Sequence, residues 1–361
     1  MSKAVPRRRL FVIALPALVL AADGRAVDKD PLAAEIARWT EFLRTNQSTD
    51  PIWTDVKEAS GPVLARAEEA LRRGRRHVAL HRLAAARVNL AAAGYMAERT
   101  AAERKEAAAF EAEWKRMGRI LRADLARPAP AALASVQPAA VRALGEAALP
   151  QVRVFYDASL EYGRSTTPDS GLFYLGQARA QREFVALARS VSAPSGGTAP
   201  KLRPFAPELD DLDGDLLAAY RPPASIDRHP EFIAASSVLK EARELDAAGL
   251  RYGALIRYLQ AAVRVAALRP YPPTADKAAV DGRLRDFDTR LAGGGVDHTI
   301  GRFFVETALE DRASADSKGA TAAAITEDVL PRYFVALEPA LKRPARPAPS
   351  ATVTLVRWPY T

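Results

Sequence analysis

The sequence predicts an all-α protein of stacked helical hairpins, an α-solenoid or an irregular helical bundle, with a short C-terminal β-strand. Three observations support this fold class. About one residue in five is alanine, whose side chain loses no rotamer entropy in a helix. Proline clusters divide the chain into segments of helical length. An internal repeat places the same residue types in two hairpins.

Length and composition limit the alternatives further. The chain has 361 residues, of which 48% are hydrophobic, and it contains no cysteine. This is enough apolar material for a sizeable core, so the composition argues against a disordered chain. The absence of cysteine excludes a disulfide scaffold and thiolate catalysis.

Residues 1–26 have the pattern of a cleavable signal peptide. Lys3 and residues 7–9 give a positive start, and the apolar run from Leu10 to Ala22 is too short to cross a bilayer as a helix. We expect a periplasmic or secreted protein, exported by the general secretory or the twin-arginine route. The other interpretation of this segment is a short membrane anchor or an ordinary N-terminal helix.

The charge of the mature chain argues against nucleic-acid binding. The full sequence has a formal net charge of +9, and removal of residues 1–26 leaves about +5. Such a small excess is poorly suited to neutralising many phosphates. No later stretch reaches about 18 uninterrupted apolar residues, so we expect no transmembrane span in the mature chain.

Two helical regions follow, joined by a loop or linker. We expect helical hairpins over residues 27–192 and 205–343, because the segment 193–204 is rich in proline and glycine. These regions are either separate halves or one continuous superhelix with a long loop. The Pro-rich tail 344–361 contains a β-branched and aromatic run at 353–358, which favours one short strand or a tail draped over helices.

The clearest single helix is predicted to start at Thr100. Glu103, three residues later, completes a capping box. Apolar side chains then recur at spacings of three and four residues, which places them on one helix face: Phe110, Trp114, Met117, Leu121 and Leu125.

The internal repeat is the most informative feature of the sequence. Residues 67–91 align with residues 242–266 at an offset of 175, with ten identities in 25 positions. The identities include Gly74 with Gly249 and Arg82 with Arg257. Residues 171–179 repeat the pattern more weakly. We therefore expect three hairpins whose small residues allow close helix packing.

The last of these hairpins resembles a tetratricopeptide (TPR) unit. Its residues fall in order on the family's positions for large, large, small, aromatic, small, large and small side chains: Leu245, Ala248, Gly249, Tyr252, Ala261, Val265 and Leu268. The units lie about 90 residues apart, whereas the family repeats every ~34 residues. The resemblance implies an α-solenoid-like stack with a groove for a protein or peptide.

Several side chains are candidates for contact with a protein or peptide partner in the cell envelope. Aromatic residues and arginine are favoured at interfaces, and core packing is the other interpretation of the tyrosines. The candidates on the last and middle hairpins are Tyr252, Arg257, Tyr258, Tyr174, Gln177 and Gln181.

The densest positive charge of the mature chain is an arginine cluster. It comprises Arg72, Arg73, Arg75 and Arg76 around one glycine. Such a cluster is suited to an acidic partner or an anionic surface. The other interpretation is a polar turn between two helices, since loops carry charge whether or not they bind.

His77 and His81 are the candidate metal ligands. Their i,i+4 spacing places both imidazoles on one helix face, as in two-histidine metal or haem sites. The glutamate of a zinc-protease motif is missing, because Val78 stands in its place. The other interpretation is a solvated helix face.

The sequence favours binding over catalysis. It contains no Gly-x-Ser-x-Gly elbow, phosphate loop or dinucleotide fingerprint, so we predict no catalytic residue and no cofactor. We expect an exported, non-enzymatic binding or scaffolding protein of the cell envelope. The alternatives are a haem- or metal-binding bundle and an envelope hydrolase with a carboxylate pair, which tertiary contacts would bring together.

Overall fold

A computed structural model describes residues 30–342, apart from 47, 49–50, 127–129, 224, 270–275, 294 and 315–318. Within this part of the chain the protein is all-α, as predicted. The one isolated β-bridge there is parallel and joins Thr198 to Val296. The predicted signal peptide and the predicted strand at 353–358 lie outside the described residues.

The described segments form the following α-helices, in chain order: α1 (Pro31–Thr45), α2 (Pro51–Arg72), α3 (Arg76–Ala97), α4 (Ala107–Ile120), α5 (Arg122–Leu125), α6 (Ala139–Ser165), α7 (Pro168–Ser190), α8 (Ala206–Ala219), α9 (His229–Ala247), α10 (Arg251–Leu268), α11 (Lys277–Ala292), α12 (Thr299–Ala313), α13 (Ala320–Ala324) and α14 (Leu330–Lys342). A π-helical turn over Ile325–Val329 joins α13 to α14. Among the described residues, no helix is both long and apolar enough to cross a membrane.

Three helical hairpins form the centre of the molecule. The pairs α2–α3, α6–α7 and α9–α10 pack along their lengths, α3 also packs on α7, and α6 packs on α10. Small residues allow these contacts, since a Cβ on Gly176 of α7 would lie only 2.7 Å from Ala92 Cα of α3. Helix α12 packs on α3 and α6, and α13 and the π-turn pack on α10 and α12. Together these helices surround a groove between α3 and α10.

The repeated hairpins share one turn geometry. Gly74 and Gly249 follow α2 and α9 and have φ angles of 74° and 77°. The amide of the residue after each glycine donates to the carbonyl five residues earlier, at 2.8 Å and 2.9 Å. This is the Schellman arrangement, in which a left-handed residue ends the helix and favours glycine. The repeat in the sequence is thus a repeat of backbone structure.

A glutamate from another helix caps the second helix of each repeated hairpin. Glu306 of α12 accepts the amides of residues 77 and 78 at the start of α3, both at 3.1 Å. Glu146 of α6 accepts the amides of residues 252 and 253 at the start of α10, both at 3.0 Å. The two pairs of amides are equivalent at the offset of 175 residues. Each carboxylate satisfies donors that the helix itself leaves unpaired.

One cluster of buried apolar side chains extends from Leu32 to Leu337 and contains residues of both predicted helical regions. The regions also meet through polar groups at the first turns of α6 and α12. Asp297 Oδ2 accepts the amide of Ala139 at 2.8 Å, and Thr299 Oγ1 accepts the amide of Ala140 at 3.0 Å. Residues 193–204 therefore connect two regions that share a core.

The helix predicted from Thr100 begins later than expected. The capping box forms, with the Thr100 amide 2.8 Å from the Glu103 carboxylate, but it opens only a 3₁₀ turn over Glu103–Lys105. Extended backbone at Glu106 breaks the path, and α4 starts at Ala107. The predicted apolar face is correct, since it packs in a second, smaller core cluster.

Candidate functional site

A groove between α3 and α10 is the candidate functional site. Its large lobe has a volume of about 530 Å³ and is lined by residues of α2, α3, α9, α10 and α12. Its small lobe, of about 150 Å³, is lined by residues of α3, α6, α7 and α10. His81 and Gln260 line both lobes, and their Nε2 atoms lie 3.2 Å apart.

The internal repeat forms the two walls of this groove. Arg82 and Arg257 are equivalent at the offset of 175 residues, and both line the large lobe. Val63 and Val238 have the same offset and also line it, which extends the repeat beyond residues 67–91. The large lobe joins the start of α3 to the end of α10, and the small lobe joins later residues of α3 to earlier residues of α10. The two walls are therefore antiparallel.

The groove is lined by basic and apolar groups. Arg66, Arg82, Arg257 and Arg264 line the large lobe, and among the described residues no acidic side chain lines either lobe. The partners of the two equivalent arginines lie outside this lining. Arg82 Nη1 is 2.8 Å from a Glu310 oxygen of α12, and Arg257 Nε is 3.1 Å from a Glu241 oxygen of α9. The charged side chains that line the groove are thus all basic.

His81 is uncharged at neutral pH. Burial lowers its pKa to about 4, and the charges of Arg257 and Arg82 act in the same direction. The Gln260 amide nitrogen can only donate, so the His81 Nε2 atom accepts. The ring also packs edge-on against Phe303, with centroids 5.3 Å apart. His81 therefore contributes a fixed polar group to the groove, and the arginines supply its charge.

The predicted metal ligands have different partners. His77 Nδ1 lies 2.7 Å from Glu306 Oε1, on the carboxylate that caps α3, whereas His81 faces Gln260. In the segments that the structure describes, no group of three or more His, Cys, Asp or Glu side chains is arranged to hold a metal ion. A metal site at His77 and His81 remains a prediction.

The predicted arginine cluster lies in the turn between α2 and α3. Each of its four side chains is within ion-pair distance of a carboxylate, on its own helix, on α12 or just before α1, so the cluster connects three parts of the fold. The pairs are Arg72 and Arg73 with Glu69, Arg73 and Arg75 with Glu310, and Arg76 with Asp30.

The residues predicted to contact a partner are not gathered on one surface. Arg257 and Gln181 line the groove. Tyr252 and Tyr258 are core residues, with exposed fractions of 7% and 2%. The Tyr252 hydroxyl donates to the Pro200 carbonyl at 2.6 Å. The packing interpretation therefore accounts for these two tyrosines.

The other two candidates lie on α7, away from the lining of the groove. Tyr174 stacks on Tyr162 with ring centroids 4.8 Å apart. Gln177 is buried, and its Nε2 donates to Asn89 Oδ1 at 2.9 Å. Sequence reasoning missed the groove residues Arg82, Gln260 and Phe303 as candidates. The identity of Arg82 with Arg257 in the repeat was the available signal.

Buried carboxylates in the described segments have structural partners. Glu146 is fully buried, which raises its pKa, and Arg142 Nε donates to it at 2.7 Å. Backbone amides or arginines likewise donate to the other strongly buried carboxylates, which are Glu208, Asp246, Asp297 and Glu310. None of the five lines the groove.

Comparison of the chain with protein-family models, with curated proteins and with solved structures finds no match of any of the three kinds.

Proposed function

We propose that the protein is an exported, non-enzymatic binding protein of the cell envelope. Its TPR-like stacked hairpins hold a segment of a partner protein in the groove between α3 and α10. The observation that carries the proposal is the groove itself, which opens where the two repeated hairpins face each other.

The size and chemistry of the groove support a binding role. The large lobe, at about 530 Å³, is within the usual range of ligand sites, about 300–1,000 Å³. Apolar side chains supply most of its surface, and a few polar groups converge on it. Gln181 offers an amide group that can pair with a partner's backbone.

The signal-peptide pattern at residues 1–26 supports the compartment. Together with the absence of recognisable catalytic motifs, it favours an envelope component that binds another protein. Glutamate and arginine pairs around the turn of α2 and α3 hold one wall of the groove to α12. A wall fixed in this way is suited to binding without large rearrangement.

Site-specific photo-cross-linking in the producing cell tests the proposal. A photoreactive residue at Ala267, which is exposed and lines the large lobe, should capture one partner protein. The same residue at Ala123, exposed on α5 and outside both lobes, is the matched control. Ala85→Trp, which fills the groove from a position lining both lobes, should abolish the adduct at 267.

Two results would contradict the proposed function. One is an adduct at 267 that persists unchanged in Ala85→Trp. The other is the absence of any adduct that position 123 does not also give. Circular dichroism of each variant establishes that the fold is retained.

A further inference from the structure

We propose that the segment held in the groove is both acidic and apolar, with carboxylates that contact Arg82 and Arg257 and apolar side chains that lie against the valines of the walls. This inference rests on the proposed function, since it specifies the chemistry of the occupant of the same groove.

The two equivalent arginines, Arg82 and Arg257, favour a negatively charged occupant. One comes from each wall, and no carboxylate of the described residues lines the space between the walls. A guanidinium has five N–H donors. In the described part of the chain the hydrogen bonds of Arg82 and Arg257 use Nη1, and the ion pair of Arg257 with Glu241 uses Nε. The Nη2 groups therefore remain to pair with an incoming carboxylate, for which the planar guanidinium is well shaped.

Two further arginines extend the positive surface beyond this pair. Arg66 and Arg264 line the large lobe and are exposed. No ion pair is formed by either side chain within the described residues. A segment with several carboxylates can therefore pair with arginines along the large lobe, whereas a lysine-rich segment is repelled.

The accessible parts of the walls also include apolar side chains. Val63, Val238 and Val263 are only half-buried, and they line the large lobe together with Phe303 and Phe304. A purely polar acidic segment would leave these methyl groups and rings in contact with water. A flat anionic surface would contact the exposed arginines but would offer no apolar side chains to the half-buried valines. An acidic segment with interspersed apolar residues satisfies both kinds of lining.

Binding of defined peptides tests this inference. The probes are a short soluble peptide of glutamate, leucine and serine, its counterpart with glutamine for glutamate, and its counterpart with lysine. Fluorescence anisotropy with the full-length mature protein should show binding of the glutamate peptide, about tenfold or more weaker binding of the glutamine peptide, and no binding of the lysine peptide. Added salt should weaken the first interaction, since partly exposed ion pairs are screened.

Charge-neutralising variants locate the contact. Arg82→Gln and Arg257→Gln should each weaken binding of the glutamate peptide about tenfold, the loss expected for one charge-assisted hydrogen bond. The double variant Arg66→Gln/Arg264→Gln alters exposed side chains and should also weaken binding. Arg44→Gln, an equal charge change on α1 outside the groove, should leave affinity unchanged.

The outcomes separate this inference from the proposed function. If the glutamine or lysine peptide binds as tightly as the glutamate peptide, or if no peptide binds while the cross-link at 267 persists, the acidic character is wrong and the function stands. If free glutarate competes as well as the peptide does, the occupant is a small dicarboxylate, and both statements fall. If the cross-link at 267 is not obtained, that result by itself contradicts the proposed function.

Discussion

At the scale of single residues, His81 shows how position determines protonation. The ring lies between the groove lobes, within the influence of Arg82 and Arg257. Burial and both positive charges favour the neutral imidazole, so its pKa falls from 6.5 to about 4. Between these two values the unfolded chain binds a proton at this position and the folded chain does not.

This difference predicts a pH-dependent stability. The free energy of unfolding should decrease as the pH falls from 6.5 to 4, with up to about 3 kcal/mol of the loss due to His81. His81→Gln should reduce that slope, whereas His229→Gln, at an exposed histidine, should keep it. Urea unfolding at a series of pH values measures the difference. Equal slopes in wild type and His81→Gln would show that His81 does not titrate in this way.

The two capping glutamates give a second residue-scale prediction. Glu306→Ala leaves two amides at the start of α3 unpaired and should cost about 1–2 kcal/mol of stability. Glu146→Ala should cost more, about 3 kcal/mol, because it leaves two buried amides and Arg142 without their acceptor. Glu161→Ala, at an exposed position of α6, is the control and should stay within about 0.5 kcal/mol. Denaturant unfolding of the three variants ranks them, and equal costs for all three would refute the capping role.

At the scale of helices, the repeated glycines make a matched pair. Gly74→Ala and Gly249→Ala both place a Cβ in the left-handed region and should each lose about 1 kcal/mol. The loss should be larger at 249, where the added Cβ would lie 3.3 Å from Pro130 Cγ, than at 74, where nothing lies within 4 Å. Gly214→Ala, in the open middle of α8, should instead stabilise the protein. Thermal unfolding tests this order, and a gain of stability in Gly74→Ala or Gly249→Ala would contradict the shared turn geometry.

Local patterns explain what could be predicted of the helices. The Gly74 and Gly249 turns and the apolar face around Phe110 depend on residues close in sequence, so spacing alone reveals them. The exact start of α4 depends on the extended backbone at Glu106, which no nearby residue type indicates. For Tyr252 the sequence left two interpretations, because a helix face becomes core only when another helix covers it.

At the scale of the whole molecule, the shared core predicts cooperative unfolding. Apolar residues from both sides of the segment 193–204 belong to one buried cluster. A protease site inserted beside Gly196, which has no neighbouring atoms where a Cβ would lie, should be cleavable in the folded protein. The two fragments should then co-elute in size-exclusion chromatography. Separation of the fragments under native conditions would show that the regions are independent.

The sequence did not predict where the groove lies either, because the groove also depends on contacts between helices that are distant in sequence. Its walls come from segments 175 residues apart, and Phe303 of α12 also lines it. The repeat indicated that Arg82 and Arg257 are equivalent, but equivalence does not reveal that the two helices face each other. That arrangement follows from the packing of α7 on α3, of α6 on α10 and of α12 on α3.

The antiparallel walls also affect the direction in which an extended chain can lie. Arg82 matches Arg257 and Val63 matches Val238, so a chain threaded either way round meets an arginine and a valine from each wall. The lining residues that have no like equivalent, which include Gln260 and Phe303, distinguish its N-terminal from its C-terminal end. Gln260→Ala removes one of these differences and should raise the share of the reverse polarity, which a spin label at one end of a bound peptide would report as a second position.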